Sequence, residues 1–469
     1  MDVLAVPKAA PEPLPELAAD LAPVVDLLRR AESRTSLERY VTGLLTDLPR
    51  KNCDTIAAAL AGTSTERLQH LLTDATWDAE ALDKTRVQCL VALSPPDGIL
   101  AIDDTGLPKQ GRTSVGVSRQ YSGTLGKIGN CQVVVTAEYI ADEPTRSDPL
   151  HWPVTGQLYL PERWATDDTR RARCHVPAET GFQTKLDLAL ALLDHARAWG
   201  VPFRYVAVDA GYGDQPPFLA ALDPRAVPYI AAVTSTFGVR LPDEVAAAAA
   251  TRPPYRGRGQ PPKPRPAPLY TAAALLATLP DETWQTVTWR ERPGTPLRRQ
   301  CAALRVHWGT GSPRFSTTHH RVQTGPAGWL LGTRPLPGEE GEAKCYFLML
   351  PADTPLQRLV ELAHSRWPIE QFYEDSKGEC GLDDYQGRRW DGLHRHLALV
   401  MLAYSYLVWQ RLTLTPASPA AAGLSPLSAA TIAPRRASRG LALAVRGSRA
   451  LARPHRPTQV VPSTPQLTE

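Results

Sequence analysis

The sequence predicts an α/β chain with a helical start. Three observations carry this. Between Ser36 and about Leu93, apolar residues recur at three- and four-residue steps, the period of amphipathic helices. At Gly98 the period changes to short apolar runs, two of which, Ile99–Asp103 and Phe203–Val208, run into aspartates. From Leu356 the helical pattern resumes and leads into Arg366–Lys377, RWPIEQFYEDSK. The 469 residues leave room for two or three domains and a well-buried core.

Taken in order, residues 1–35 are rich in Ala, Pro and Leu and read as a loose lead-in. Ser36 is the candidate cap of a first helix through Leu37, Tyr40, Val41, Leu44 and Leu45. Further periodic runs around Ile56–Leu60 and Leu68–Leu72 complete a helical region, 36–95. Its few cations, Arg50 and Lys51 among them, suit DNA binding as well as a plain bundle. The strand Ile99–Asp103 follows, then a polar stretch, KQGRTSVGVSRQYSGTLGKIGN, read as a loop or hairpin. It holds Lys109, Arg112, Arg119 and Lys127 and no acid. Cys131–Tyr139 and Gly156–Leu160 read as strands, 184–199 as a helix ended by Gly200, and Phe203–Val208 and Tyr229–Val233 as strands. Three strands, helix, strand, helix, strand is the order of a ribonuclease H-like core, a mixed sheet covered on both faces.

Residues 234–352 read as an inserted β-rich domain. It opens with a proline-rich basic arm at 251–268, carrying Arg252, Arg256, Arg258, Lys263 and Arg265. Its strands are expected near Gln285–Trp289, Gln300–Trp308, Gly328–Gly332 and Lys344–Leu350, with Trp284, Trp289, Trp308 and Trp329 in its core. Residues 353–412 return to the core, with Pro368 in the first turn of the key helix and a largely apolar helix running to about Leu412.

Composition narrows the function classes. The seven cysteines are scattered with no CxxC pair, which argues against a disulfide framework or a zinc site and for reduced thiols in the cytoplasm. No signal peptide is expected, and the longest apolar stretch, His396–Trp409, is too short to span a bilayer. The net charge is +4, but residues 413–469 hold seven arginines and one acid, so residues 1–412 sum to −2. Nucleic-acid binding by the body must therefore use local basic patches.

The carboxylates suggest the chemistry. Two aspartates at strand ends and a glutamate on a helix are hard oxygen donors suited to Mg2+ or Mn2+. Two such ions serve phosphoryl transfer by activating the attacking oxygen and stabilising the leaving one. Asp103 and Asp104 should face opposite sides of their strand. Asp104 is preferred because it stands last before the turn at Gly106, and Asp209 is preferred over Asp214, which is placed to cap the next helix. Glu370 and Lys377 share one helix face about 10 Å apart.

These stretches resemble the DDE transposases of bacterial insertion sequences, and within them the family numbered 701, related to the larger family numbered 4. The resemblance rests on 102–135 (IDDTGLPKQGRTSVGVSRQYSGTLGKIGNCQVVV), 158–164 (LYLPERW), 206–214 (VAVDAGYGD) and 366–396 (RWPIEQFYEDSKGECGLDDYQGRRWDGLHRH). It covers most of 36–412. It implies Asp104, Asp209 and Glu370 as the catalytic, metal-binding triad for two ions. Arg366 and Lys377 would contact phosphates at the cleavage point. Lys109, Arg119, Lys127, Arg388, His394 and Arg395 are further candidates for DNA contact. The larger family's Tyr-Arg-Glu-Lys signature is matched at Arg366, Glu370 and Lys377, but the tyrosine position is Ala363. What that tyrosine contributes, a phosphate or nucleotide contact, is missing or is supplied otherwise, with Tyr373 the candidate.

The implied activity is cleavage at the ends of an insertion sequence and transfer of the freed 3′-hydroxyl into target DNA. The implied partners are double-stranded DNA and a second copy of the chain on DNA, in the cytoplasm at the nucleoid, with no membrane. Two rivals remain: a degenerate copy that only binds terminal repeats as a repressor, and a metal-dependent nuclease of the same fold. The tail 413–469 lacks clear periodicity where further apolar helix is expected, and reads as disordered and translated out of the ancestral frame.

Overall fold

A computed structural model describes residues 15–123, 126–142, 148–251, 257, 266–290, 296–311 and 322–414. The tail beyond 414, and with it the expectation made for it, lies outside these residues. So do Arg252, Arg256, Arg258, Lys263 and Arg265 of the basic arm.

Helices α1 (Pro15–Val25), α2 (Ala31–Leu45), α3 (Cys53–Ala59), α4 (Thr65–Thr73) and α5 (Ala79–Val91) come first. The expected loose lead-in is thus helical from Pro15. Leu17, Leu21 and Val24, at four- and three-residue steps, are buried against the chain. Helix α2 begins before Ser36, whose hydroxyl instead donates to the Glu32 carbonyl at 2.8 Å inside the helix. Asn52 caps α3 with a reciprocal capping box through Thr55.

The sheet begins with β1 (Gly98–Pro108), β2 (Ser118–Ser122), β3 (Lys127–Ala141) and β4 (Leu150–Leu158). The last lies earlier than the expected Gly156–Leu160. Its proline, Pro153, obscures the strand in sequence but sits at a break in register opposite Glu138, where a missing N–H is tolerated. Short helices α6 (Glu162–Ala165) and α7 (Asp168–Arg173) precede α8 (Lys185–Ala198), which a Thr184–Asp187 capping box starts. Then come β5 (Phe203–Val208), α9 (Ala210–Gly213), α10 (Pro216–Leu222) and β6 (Tyr229–Val233).

The next elements are β7 (Gly238–Arg240), α11 (Pro242–Ala250), β8 (Tyr270–Thr271), α12 (Ala272–Ala277), β9 (Gln285–Arg290), β10 (Leu297–Thr310), β11 (Gln323–Arg334) and β12 (Lys344–Leu348). Helices α13 (Leu356–Ala363), α14 (Pro368–Cys380) and α15 (Trp390–Leu414) end the described chain.

The strands form one mixed sheet in the order β2-β3-β1-β5-β6-β12-β11-β10-β7-β8, with β4 paired to β3 and β9 to β10. Strands β1, β5 and β6 run parallel, and β12 joins β6 antiparallel. The strands after β6 therefore extend the first sheet instead of making a second one. Side-chain alternation along β1 and β5 sends Leu100, Ile102, Val206 and Val208 into a core shared with Leu188 and Leu192 of α8. Ala101, Ala207 and Tyr205 meet Leu359 and Val360 of α13 and Ile369 of α14 in a second core. The N-terminal helices share the first core with α15, so they are not a detached module. Among the four tryptophans near β9–β11, only Trp308 is buried.

Candidate active site

The site is built where β1 and β5 run side by side. Their last paired residues, Ile102 and Val208, are each followed by an aspartate. Registered neighbours on parallel strands project to the same face, so Asp103 stands beside Asp209. Strand β1 continues to Pro108, and neither Asp103 nor Asp104 ends it. The reason for preferring Asp104 therefore does not hold. Asp104 turns to the opposite side, where the Lys185 ammonium donates to both of its carboxylate oxygens at 3.0 and 3.1 Å. The Tyr212 hydroxyl donates to it at 3.4 Å. Asp214 accepts from the Thr234 N–H at 2.9 Å and leaves Asp209 as the carboxylate of its segment facing the cleft.

Helix α14 lies over the Asp103 face. Pro368 occupies its first turn and Gly381, at φ +67°, ends it. Ile369, Phe372, Ser376 and Cys380 make its buried stripe, which leaves Glu370 exposed at the N-terminal end. Arg366, one turn earlier, donates to Asp103 Oδ2 at 2.7 Å and to Glu370 Oε1 at 2.8 Å. Seven residues on, Lys377 Nζ donates to the Thr105 hydroxyl at 2.7 Å, on the same face of β1 as Asp103. The helix thus grips β1 through one cation at each end. Tyr373, between them, is hydrogen-bonded through its hydroxyl to Thr136 of β3, the residue paired with Asp103.

Asp209, Arg366, Glu370, Ala363, His364, Trp367 and Lys344 line an open cleft of about 410 Å³, within the usual size of a ligand site. His364 stacks on Trp289 with ring centroids 3.9 Å apart. Burial pushes the Asp103 carboxyl up to about 7; Arg366 pulls against this, and Asp209 adds to it. Burial raises Asp209 too, and the nearby Asp104 charge adds to this, while Arg366 and the Gly211 and Tyr212 N–H groups, at 2.9 and 3.3 Å, pull against it. Two carboxylates crowded at a buried strand end favour a bound cation. At present that cation is the guanidinium of Arg366. Among the described residues no group of three or more His, Cys, Asp or Glu is close enough to form a ready metal cage. The donor set fits a hard divalent ion, provided that Arg366 yields its place.

Several of the residues expected at DNA are bonded within the protein. Lys109 is mostly buried and donates to the carbonyls of Asp383 and Tyr385, tying the end of β1 to the segment after α14. Arg395 holds the carbonyls of Leu72 (3.1 Å) and Trp77 (2.9 Å) and lies over the Trp77 ring. His394 Nδ1 bonds the Trp390 carbonyl and its Nε2 accepts from the Leu158 N–H at 3.4 Å. Burial lowers its pKa, which disfavours a cationic contact to phosphate. Lys51 is buried and anchors the carbonyls of Leu44 and Glu379. Arg119, Lys127 and Arg388 remain exposed. Sequence reasoning passed over Lys185 and Thr105, and it set Asp103 aside. Ala101-Ile102-Asp103 and Ala207-Val208-Asp209 repeat one pattern on two strands that run level.

Paired acidic strand positions under a glutamate-bearing helix define a nuclease-like carboxylate cleft. The family model for the DDE superfamily endonuclease matches residues 23–295, and the chain belongs to that family. The matched segment includes Asp103, Asp104 and Asp209; α14 lies beyond it. The chain is also similar to the "Probable transposase for insertion sequence element IS701" of Microchaete diplosiphon, 30% identical over 201 residues. That match covers 42% of this chain and 48% of the relative, so the chain spans about half the length of the curated relative it matches. Among the described residues no helix is long and apolar enough to cross a membrane.

Proposed function

We propose that this protein is a DDE transposase that cleaves DNA at insertion-sequence ends and joins the freed 3′-hydroxyl to target DNA. The observation that carries the reading is Asp103 beside Asp209, with Glu370 held over them by Arg366, in a chain of the DDE endonuclease family. Asp103, Asp209 and Glu370 are the metal-binding triad in this reading. Asp103 takes the role that the resemblance placed on Asp104, whose carboxylate is committed to Lys185. The core around them is ribonuclease H-like, with the strands after β6 as its β insertion. When bound, two Mg2+ or Mn2+ ions activate the attacking oxygen and stabilise the leaving one.

The chain's own residues bind and orient. Arg366 exchanges its carboxylate partners for a DNA phosphate, a bidentate exchange suited to a guanidinium. Lys377 fixes α14 on β1 through Thr105, which sets the height of Glu370 over the aspartates. The substrate is double-stranded DNA, and pairing two ends calls for a dimer on DNA at the nucleoid.

The test is cleavage of a labelled duplex carrying the element's own terminal repeat, with magnesium. Cutting at the repeat boundary by the wild type, with binding but no cutting by Glu370→Gln, supports the reading. Binding without cutting by the wild type in both magnesium and manganese overturns it in favour of a repressor-like copy. Cutting without joining identifies a nuclease.

A further inference from the structure

A second cationic feature lies apart from the carboxylate cleft. The loop after β1, strand β2 and helices α6 and α7 enclose a groove lined by Gln110, Arg112, Arg119, Asn130, Arg163 and Arg170. The groove is built. Asn130 Nδ2 holds the Lys109 and Gly111 carbonyls at 2.6 and 2.8 Å, which shapes the loop that carries Arg112. Arg163 is held by the Ser118 hydroxyl. Arg170 lies over the Trp164 ring, 5.2 Å from its centroid, and meets Asp167 at 3.2 Å, the one carboxylate it pairs with among the described residues. The Arg388 carbonyl accepts from the Val115 N–H at 3.0 Å, which ties the segment just before α15 to the loop that carries Arg112.

We propose that this groove is a binding site for the phosphate backbone of double-stranded DNA flanking the cleavage point. The proposal rests on the DNA-cleaving reading of the carboxylate cleft. Four guanidiniums with no acidic lining residue match a run of phosphates. Trp164 is 1% exposed, so the groove offers no ring on which a base could stack, and this disfavours single strands. Arg119 is paired with Asn130, which shares a face of β3 with Thr136, and Thr136 is paired with Asp103. Arg119 therefore projects from the same sheet face as Asp103, while Arg163, held by Ser118, comes from the other face, so the groove wraps the strand edge. The end of β1, five residues on, lies roughly 17 Å from Asp103 at the rise of an extended strand. That distance corresponds to about five base pairs of duplex.

The test uses the full chain carrying Glu370→Gln and a fluorescent duplex of about 30 base pairs, with binding read by anisotropy across a salt series. Adding Arg112→Glu and Arg119→Glu, both at exposed positions, is expected to weaken binding at least about tenfold and to reduce the log–log salt slope by about 2. The Gln versions lose less, in the same direction. Arg204→Glu, at the far end of β5 from Asp209, controls for net charge and leaves both unchanged. Thermal melts confirm that each variant is folded. Unchanged affinity and slope in the Glu variant overturn the groove assignment while leaving the cleavage reading intact. A parent protein that binds no duplex overturns both.

Discussion

Asp103 and Arg366 show how much one residue's orientation decides. Both aspartates of the pair follow the same apolar run, and residue type cannot separate them. The register with β5 does, through Ile102 and Val208. Arg366 sits between the carboxylates as their counter-charge, which makes a measurable prediction. Arg366→Gln removes the competing cation and leaves like charges facing one another. We expect Mn2+ affinity without DNA, by calorimetry, to rise about tenfold or more, since a factor of ten needs only ~1.4 kcal/mol. Unchanged affinity contradicts the counter-charge role.

A second titrating residue lies in the core. Glu138 is fully buried, bonds His151 Nδ1 at 2.8 Å, and burial raises its carboxyl to about 7. A raised folded-state pKa means stability that is full below about 4.5 and is lost as pH rises through about 7. Glu138→Gln should flatten that decline, by at most about 3 kcal/mol at 1.36 kcal/mol per unit. Denaturant unfolding at pH 4.5 and 8 checks it, and parallel curves for the two proteins rule it out.

At the scale of elements, α14 depends on its ends. Gly381 has φ +67°, and a Cβ there would lie 2.7 Å from the Cβ of Lys51, whose ammonium holds the Glu379 carbonyl. Gly381→Ala is thus strained both by its backbone and by contact, and should cost about 2 kcal/mol or more. The denaturation midpoint reads this, and a change within ~0.5 kcal/mol contradicts it.

The strands Phe203–Val208 and Tyr229–Val233 were legible to the residue, because short apolar runs between glycine, proline and aspartate leave little choice. Helix α8 was equally legible from its cap and Gly200. Helix α1 was not, because Pro15, Pro23 and an alanine-rich context hid a sound apolar stripe. The roles of Lys109, His394 and Arg395 were illegible for a different reason. A cation bonded to main-chain carbonyls looks, in sequence, like one facing solvent, and only tertiary placement tells them apart.

At the scale of the molecule, the strands after β6 join the first sheet through the β6–β12 pairing, and the N-terminal helices share its main core. Composition could mark where the pattern changed but not which strands would become neighbours. One continuous sheet predicts one cooperative unfolding transition. Tryptophan fluorescence, which samples both β4 (Trp152) and β9–β11 (Trp289, Trp308, Trp329), and far-ultraviolet dichroism should lose signal at the same denaturant concentration. Separate midpoints contradict the continuous sheet.

Asp103 and Asp104 are the two candidates for the first carboxylate of the site. The measurement that separates them is magnesium-dependent cleavage of a terminal-repeat duplex by Asp103→Asn and Asp104→Asn, compared side by side with the wild type. The geometry predicts that Asp103→Asn loses at least about a thousandfold, ~4 kcal/mol in the barrier, with DNA binding retained. It predicts that Asp104→Asn, which weakens the contacts to Lys185 and Tyr212, loses about tenfold or less. The reverse order, with Asp104→Asn inactive and Asp103→Asn nearly intact, contradicts the site as built here.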